Sequence, residues 1–286
     1  MICNLCPRKC SAERNETEGK GFCGLGTLPR VARVAPHMWE EPCISGEKGS
    51  GAVFFSGCTL RCVFCQNYAI SANNNGRTIK VSELAEEFKK LEAIGVHNIN
   101  LVSPTPYIGA IIEALEIYRP KIPIVYNSSG YENVETLRRL EGYVDIYLPD
   151  FKYADDELAV RYSKAPNYVE TATNAVKEML RQTGEPVFDG EMMRSGVIVR
   201  HLVLPNHTKN SVRCLEHISE NFKGALVSLM GQYTPVYKAL ENEKLNRKIT
   251  RREYDKVKSK LFELELDGFA QELSSADEKY IPSWDY

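Results

Sequence analysis

From residue 51 to about residue 265 the chain alternates between two hydrophobic rhythms. Short apolar runs that end in Gly or polar residues read as buried strands: AVFFSG (52–57), HNINLVS (97–103), KIPIVYNSS (121–129), VDIYLPD (144–150), GVIVRHLVL (196–204) and ALVSLM (225–230). Between them the apolar positions fall at helical spacing. Leu84, Phe88, Leu91 and Ile94 follow Ser82, read as a helix cap, and end at Gly95. Further helices are expected over 107–118, 132–141, within 155–183, over 211–221 and over about 248–265. Strand and helix thus alternate about six times, which predicts parallel strands joined by right-handed crossovers. Six such units make an open sheet or an incomplete barrel. Residues 1–50 lack this periodicity and are rich in Cys, Gly, Pro and charge, so they are expected to form a separate irregular lobe. The division predicted is 1–50 for the lobe and 51–286 for the α/β body, with its C-terminal helix and a tail, FAQELSSADEKYIPSWDY, whose aromatics suggest docking.

Composition narrows the class. The 286 residues are 43% hydrophobic, enough for a sizeable core, and carry a formal charge of −2. No basic excess points to nucleic acid, and no stretch of eighteen apolar residues can span a bilayer. The opening MICNLCPRKC lacks the apolar run of a secretory leader, so a cytoplasmic setting is expected. Nine cysteines are many for that compartment, and eight of them precede residue 66. In a reducing cell, clustered cysteines read as metal ligands or catalytic groups rather than disulfides.

In parallel α/β folds the active face lies beyond the carboxyl ends of the strands. Those ends carry, in order, Cys58–Cys65, Ser103-Pro104-Thr105-Pro106, Asn127-Ser128-Ser129-Gly130, Asp150 with Lys152, Arg200 with His201, and Gly231-Gln232-Tyr233. The first is GCTLRCVFCQN, with Cys58, Cys62 and Cys65 in a C-x3-C-x2-C pattern. Closed zinc sites want four ligands, and each iron of a cubane cluster normally takes one thiolate. Three thiolates from one loop hold three corners and leave the fourth iron open to an external molecule. The alternative is a zinc site completed by Cys43 or a histidine.

C-x3-C-x2-C after the first strand of a βα series, with Phe64 just before the last cysteine, resembles the radical S-adenosylmethionine superfamily. The resemblance implies a partial (β/α)6 barrel and a [4Fe–4S] cluster on Cys58, Cys62 and Cys65. It implies reductive cleavage of S-adenosylmethionine to a 5′-deoxyadenosyl radical that abstracts hydrogen from a substrate. Within the superfamily the loop is similar to the pyruvate formate-lyase-activating enzymes, whose Asp-x-Lys is matched by Asp150 and Lys152, and whose strand-5 arginine is matched by Arg200. It further implies that Phe64, Gln66, Ser103, Thr105, Asn127, Ser129, Asp150, Lys152 and Arg200 line the cofactor. The implied partners are an electron donor such as flavodoxin or ferredoxin and a protein or small-molecule substrate, a glycyl radical enzyme among them. The chain departs from that group after the second strand, where Ser103-Pro104-Thr105-Pro106 stands in place of Gly-Gly-Glu and supplies no carboxylate. The group's histidine after the sixth strand is replaced by Gln232.

Cys3, Cys6, Cys10 and Cys23 form a second pattern, C-x2-C-x3-C-x12-C. Four thiolates suit a closed site, either zinc or a second cluster. The front of the chain, through MWEEPCISGEKGSG, resembles the PflX-like branch of activating-enzyme-like radical proteins. Cys214 reads as a small buried hydrophobe. His37, His97 and His217 read as structural, while His201, His207, Tyr107 and Tyr233 lie near the expected rim. Two other functions fit parts of the pattern: a non-catalytic electron-transfer protein, which four cysteines per cluster would suit better, and a barrel-type zinc hydrolase, whose His and carboxylate ligands are too scattered here.

Overall fold

The computed structural model describes residues 2–273. Its strands are β1 (Ile2–Cys3), β2 (Ala12–Glu13), β3 (Arg30–His37), β4 (Ser50–Phe55), β5 (Arg77–Thr78), β6 (Ile99–Val102), β7 (Ile124–Ser128), β8 (Ile146–Pro149), β9 (Val187–Asp189), β10 (Met192–Leu202), β11 (Leu226–Met230) and β12 (Gly268–Ala270). Its helices are α1 (Pro42–Ser45), α2 (Tyr68–Ser71), α3 (Val81–Ala93), α4 (Ile108–Ile117), α5 (Val134–Arg138), α6 (Asp156–Ser163), α7 (Tyr168–Thr183), α8 (Thr208–Asn221) and α9 (Arg251–Glu263). β1 and β2 form a small hairpin of their own, and the main sheet runs β12-β11-β10-β8-β7-β6-β4-β3-β5, with β9 paired to β10. From β4 to β12 every neighbouring pair along that order is parallel, and β3 is antiparallel to both β4 and β5. The parallel strands stand side by side in chain order, each returning by a crossover. Among the described residues no pairing joins the two ends of the sheet.

The alternation of side chains along each strand explains the two faces. Ile99, Leu101, Ile124, Tyr126, Tyr147, Val197, Val199, Val227 and Leu229 belong to the large core, together with Leu84, Phe88 and Leu91 of α3 and Val176 and Met179 of α7. The intervening positions face the other way. Val125, Ile146, Leu148 and Ile198 pack with Cys43 and Ile44 of α1 in a second, smaller core. Asn127 and Arg200, further along the same face, line a cavity instead. One face is therefore apolar throughout, while the other is apolar beneath α1 and polar above it.

Three sequence expectations shift. The six strand runs are all present, but β12 adds a seventh parallel strand: Gly268–Ala270 pairs with β11 at what was read as the start of the tail. Residues 274–286 of that tail lie outside the described residues. Residues 30–50 are not irregular, since β3 is an eight-residue strand of the main sheet beside β4; the seam expected at residue 50 falls inside this paired unit, and the loop-rich part of the front ends near residue 29. Finally, Ser82 lies inside α3 rather than capping it. The Glu83 carboxylate reaches back to accept the Lys80 N–H at 2.7 Å, which moves the cap two residues upstream.

Candidate active site

The cavity at the carboxyl ends of the parallel strands has a volume of about 240 Å³. Cys58, Cys62 and Cys65 line it, with Phe64 and Gln66 from the same loop. Gly57 lets the chain turn out of β4: its φ is +84°, and a Cβ there would lie 2.0 Å from Leu25 Cδ1. The loop is then tied down by Val63 N–H donating to Tyr162 O at 2.9 Å and by Gln66 Nε2 donating to Gln232 O at 3.2 Å. The Ser163 hydroxyl donates to Cys62 Sγ at 2.9 Å, and Cys65 Sγ and Ser71 Oγ are 3.2 Å apart. Burial pushes the Cys62 thiol up to about 12, against the pull of the Lys152 ammonium. It pushes Cys65 up to about 11, against the Ser71 hydrogen bond. Thiols so placed favour a positive partner that would compensate the burial of their thiolates.

A charged network lines the same cavity. Arg200 Nε donates to Asp150 Oδ1 at 3.0 Å, its NH2 to Asn127 Oδ1 at 2.6 Å, and its NH1 to Glu40 Oε2 at 3.2 Å. Lys152 Nζ donates to Asp150 Oδ2. Burial pushes the Asp150 carboxyl up, but Lys152 and Arg200 outweigh it, and the group is held below the usual carboxylate range. Burial likewise works against the charged forms of Lys152 and Arg200, yet Asp150 leaves both net raised. The network thus stays ionised in a largely dry setting.

Glu40 is the residue that the strand-end reasoning missed. It follows β3, and its segment lies over the polar face of the sheet. Its Oε1 accepts from Asn100 Nδ2 at 3.0 Å and from Asn127 Nδ2 at 3.3 Å, so it touches side chains of β6, β7 and β10 together. Its side chain is 10% exposed, and burial raises its carboxyl while Arg200 draws it back. A carboxylate is therefore present in the site, supplied by the front of the chain rather than by the segment after β6. Only the neighbouring acid pair in MWEEP could have signalled it.

Of the expected lining residues, Cys58, Cys62, Phe64, Cys65, Gln66, Ser103, Asn127, Ser129, Asp150, Lys152 and Arg200 all border this cavity. Ser103 does so with φ +59°, a left-handed conformation that a non-glycine residue holds at a cost. Thr105 does not border it: the hydroxyl is buried behind the rim and donates to Glu132 Oε1 at 2.7 Å. His37 borders the cavity, with its ring edge-on to Phe54. His201 and His207 turn away, to Phe151 O at 2.7 Å and to the Tyr162 hydroxyl at 2.9 Å. The Tyr107 and Tyr233 hydroxyls donate to the backbone at Ser56 and Leu245. Cys214 is fully buried in α8, and Cys43 packs in the core under α1, which removes it as a fourth ligand for the rim loop.

The front cysteines lie beside this site. Cys6 and Cys23 feel one another and Cys3 electrostatically, Cys23 also feels Cys10, and burial pushes the Cys6 thiol up to about 12. Arg8 bridges the two cysteine groups: its Nε donates to Thr59 O at 2.8 Å, and its guanidinium stacks 4.0 Å from the Phe22 ring centre. Arg61, within the rim loop, donates to Cys23 O at 3.2 Å. Among the described residues no three His, Cys, Asp or Glu side chains converge tightly enough for a single metal ion. A multi-iron cluster asks for thiolates spread around a larger body than one ion, and the rim loop meets that donor requirement with three sulfurs bordering one cavity.

Residues 52–223 match the radical SAM superfamily. The uncharacterized protein MJ0674 of Methanocaldococcus jannaschii is 34% identical over 264 residues, 89% of this chain and 72% of the relative. Among solved structures, methylornithine synthase (PylB) superposes with a TM-score of 0.54 at 18% identity, over 77% of this chain and 66% of that one. SuiB from Streptococcus suis gives 0.53 at 15% identity, over 77% and 49%. SuiB bound to S-adenosylmethionine gives 0.50 at 14%, over 80% and 48%. This chain thus spans just under two thirds of the first structure and about half of the second, and at these identities the likeness is one of fold.

Proposed function

Because this chain belongs to the radical S-adenosylmethionine superfamily, we propose that Cys58, Cys62 and Cys65 hold its [4Fe–4S] cluster and that the cavity they line together with Arg200 receives S-adenosylmethionine. Membership in the superfamily makes it an enzyme that takes an electron donor and a substrate. When bound, the cluster and S-adenosylmethionine supply one-electron chemistry, a reductive cleavage that yields a hydrogen-abstracting carbon radical. The observation that carries the assignment is the shared cavity, lined both by three thiols and by a largely shielded, ionised Asp150–Lys152–Arg200–Asn127 network.

The chain's own residues bind and orient. Lys152, fixed by Asp150, offers an ammonium to a carboxylate, and Asn127 and Ser129 offer polar contacts to hydroxyls. Phe64 presents an apolar ring, packed edge-on against Tyr233 at 6.2 Å, to a flat heterocycle. Glu40, already engaged by Arg200, Asn100 and Asn127, holds the Arg200 fork in place and supplies the carboxylate absent after β6. Cys62 and Phe64 are buried and the side chains of Asp150, Lys152 and Arg200 are at most 16% exposed, which limits water at the reacting centre.

The same proposal gives Cys3, Cys6, Cys10 and Cys23 a second metal, zinc or iron–sulfur, that staples a segment with little core of its own. The substrate is not set by these residues, and an activase role is not part of the proposal. The test is anaerobic reconstitution with iron and sulfide, reduction, addition of S-adenosylmethionine, and mass-spectrometric assay of 5′-deoxyadenosine. It is expected from the wild type and absent from Cys62→Ala. A wild type that binds no iron and sulfide would overturn the assignment.

A further inference from the structure

A second cavity, of about 200 Å³, adjoins the first and shares Trp39, Glu40 and Gln232 with it. Its remaining wall includes Glu41 just before α1, Ser228 on β11, Phe269 on β12 and Gln271 just beyond. A molecule seated here abuts whatever fills the first cavity, because the two have walls in common. The volume is smaller than that of a drug-sized pocket and suits a molecule of amino-acid size.

The polar groups of this wall are unbalanced. Glu41 is 7% exposed, and its Oε2 is enclosed without a hydrogen-bond partner among the described residues. Gln271 Nε2 donates to Gln232 Oε1 at 3.4 Å, and Gln271 Oε1 is enclosed and has no partner among the described residues. Both orphaned atoms can accept; the Glu41 carboxyl is raised by burial, while Arg200, the Ser228 hydroxyl and its own backbone N–H draw it back. Among the described residues no Lys, Arg or His lines the cavity. The cation nearest in effect is Arg200, whose donors already serve Asp150, Glu40 and Asn127. An enclosed acceptor without a donor costs stability, more so when it is a carboxylate. Glu41 and Gln271 both line the cavity, and because the terminal torsion of a glutamate is broad, a rotation there would bring the Glu41 oxygen to the cavity surface. What is missing from the wall is a group with several N–H donors and positive charge.

Resting on the cofactor reading above, we propose that this second cavity is the substrate subsite and that it takes a small organic molecule bearing a primary ammonium, bound by the Glu41 carboxylate and the Gln271 carbonyl oxygen. Phe269 supplies an apolar surface for the carbon chain, and the shared wall at Glu40 and Gln232 brings that chain to the edge of the cofactor cavity.

The test uses the reconstituted holoprotein with S-adenosylmethionine bound. Binding of n-butylamine and of its neutral counterpart n-butanol is followed by ligand-observed NMR, and binding of S-adenosylmethionine separately by equilibrium dialysis. The wild type is expected to prefer the amine, and Glu41→Gln to weaken amine binding by about tenfold while leaving the alcohol unchanged. Gln271→Lys, at a partly exposed position, places a competing ammonium in the wall and is expected to abolish the preference. Equal affinity for amine and alcohol in a wild type that binds S-adenosylmethionine overturns the subsite alone, as does a Glu41→Gln protein, folded by circular dichroism, that keeps the preference. Failure of S-adenosylmethionine to bind overturns the cofactor reading instead.

Discussion

Two cysteine-rich segments lie side by side in this molecule. The rim loop, Cys58–Cys65, leaves a fully buried parallel strand through a glycine that no side chain can replace without meeting Leu25. The front segment, Cys3–Cys23, has one hairpin of two-residue strands and the isolated bridges Arg14–Gly19 and Glu18–Leu25. The rim loop is held by the sheet. The front segment is held largely by contacts to the body: Arg14 NH2 on Pro106 O at 2.8 Å, Arg8 on Thr59, and Leu25 against Gly57. Similar spacings of the same residue therefore sit in opposite mechanical settings. A strand end presents its ligands rigidly, whereas a loop-rich segment needs something else, a metal or a neighbour, to fix them.

That contrast is broken most directly by removing one thiol from each segment. Cys62→Ala is expected to take 5′-deoxyadenosine formation to background. Cys6→Ala is expected to lower the total bound metal and the melting temperature while cluster-dependent cleavage persists at a reduced rate. Elemental analysis beside the deoxyadenosine assay separates the two. If both variants lose cleavage equally at equal iron content, the segments act as one unit and the contrast fails.

The next largest effect concerns the charged network of the same cavity. Among the described residues, Arg200→Leu leaves Asp150 with Lys152 alone as an ion-pair partner and Glu40 without its ion pair, both largely shielded from solvent. This should cost about 3–5 kcal/mol in urea unfolding. Asp150 also sets an acid limit. Its carboxyl is held below the ordinary value, so the stability it contributes is fully present above about pH 4 and is lost as pH falls further. Asp150→Asn should flatten the acid limb of a stability-versus-pH curve. An unchanged limb would mean that other carboxylates dominate it.

The smallest effect tests the join between the segments. Gly57→Ala imposes a left-handed φ on a residue with a Cβ, about 1–2 kcal/mol, in addition to the clash with Leu25. Leu25→Ala by itself empties a buried position and should cost about 2–5 kcal/mol. The two residues touch, so the double variant should lose less than the sum, and the shortfall measures the join. Strict additivity would show that the front segment rests on the body without depending on this contact.

Much of this was legible in the chain. The alternating rhythm marks the strand–helix units because burial of strands on both faces demands short apolar runs, and the C-x3-C-x2-C loop announces its chemistry by ligand count. Asp150, Lys152, Arg200, Asn127 and Ser129 were reachable because each follows or ends a recognisable strand. Glu40 was not: it lies outside the βα series, and only the packing of its segment over Asn100, Asn127 and Arg200 brings it to the site. Thr105 shows the converse. It stands in the expected place in the sequence, but the turn after Ser103, with its left-handed φ, is followed by a short helical turn that points its hydroxyl at Glu132.

By itself, then, the sequence determined the unit that repeats, the direction of the strands and the loop that carries the thiols, because these follow from local periodicity and from residue type at close spacing. Tertiary structure alone decided that β3 joins the sheet, that β12 extends it, that the two cysteine segments meet through Arg8 and Arg61, and that Glu40 and Glu41 face the cavities. Each of these depends on which distant surfaces bury one another, and that free energy belongs to the assembled core rather than to any short stretch of chain.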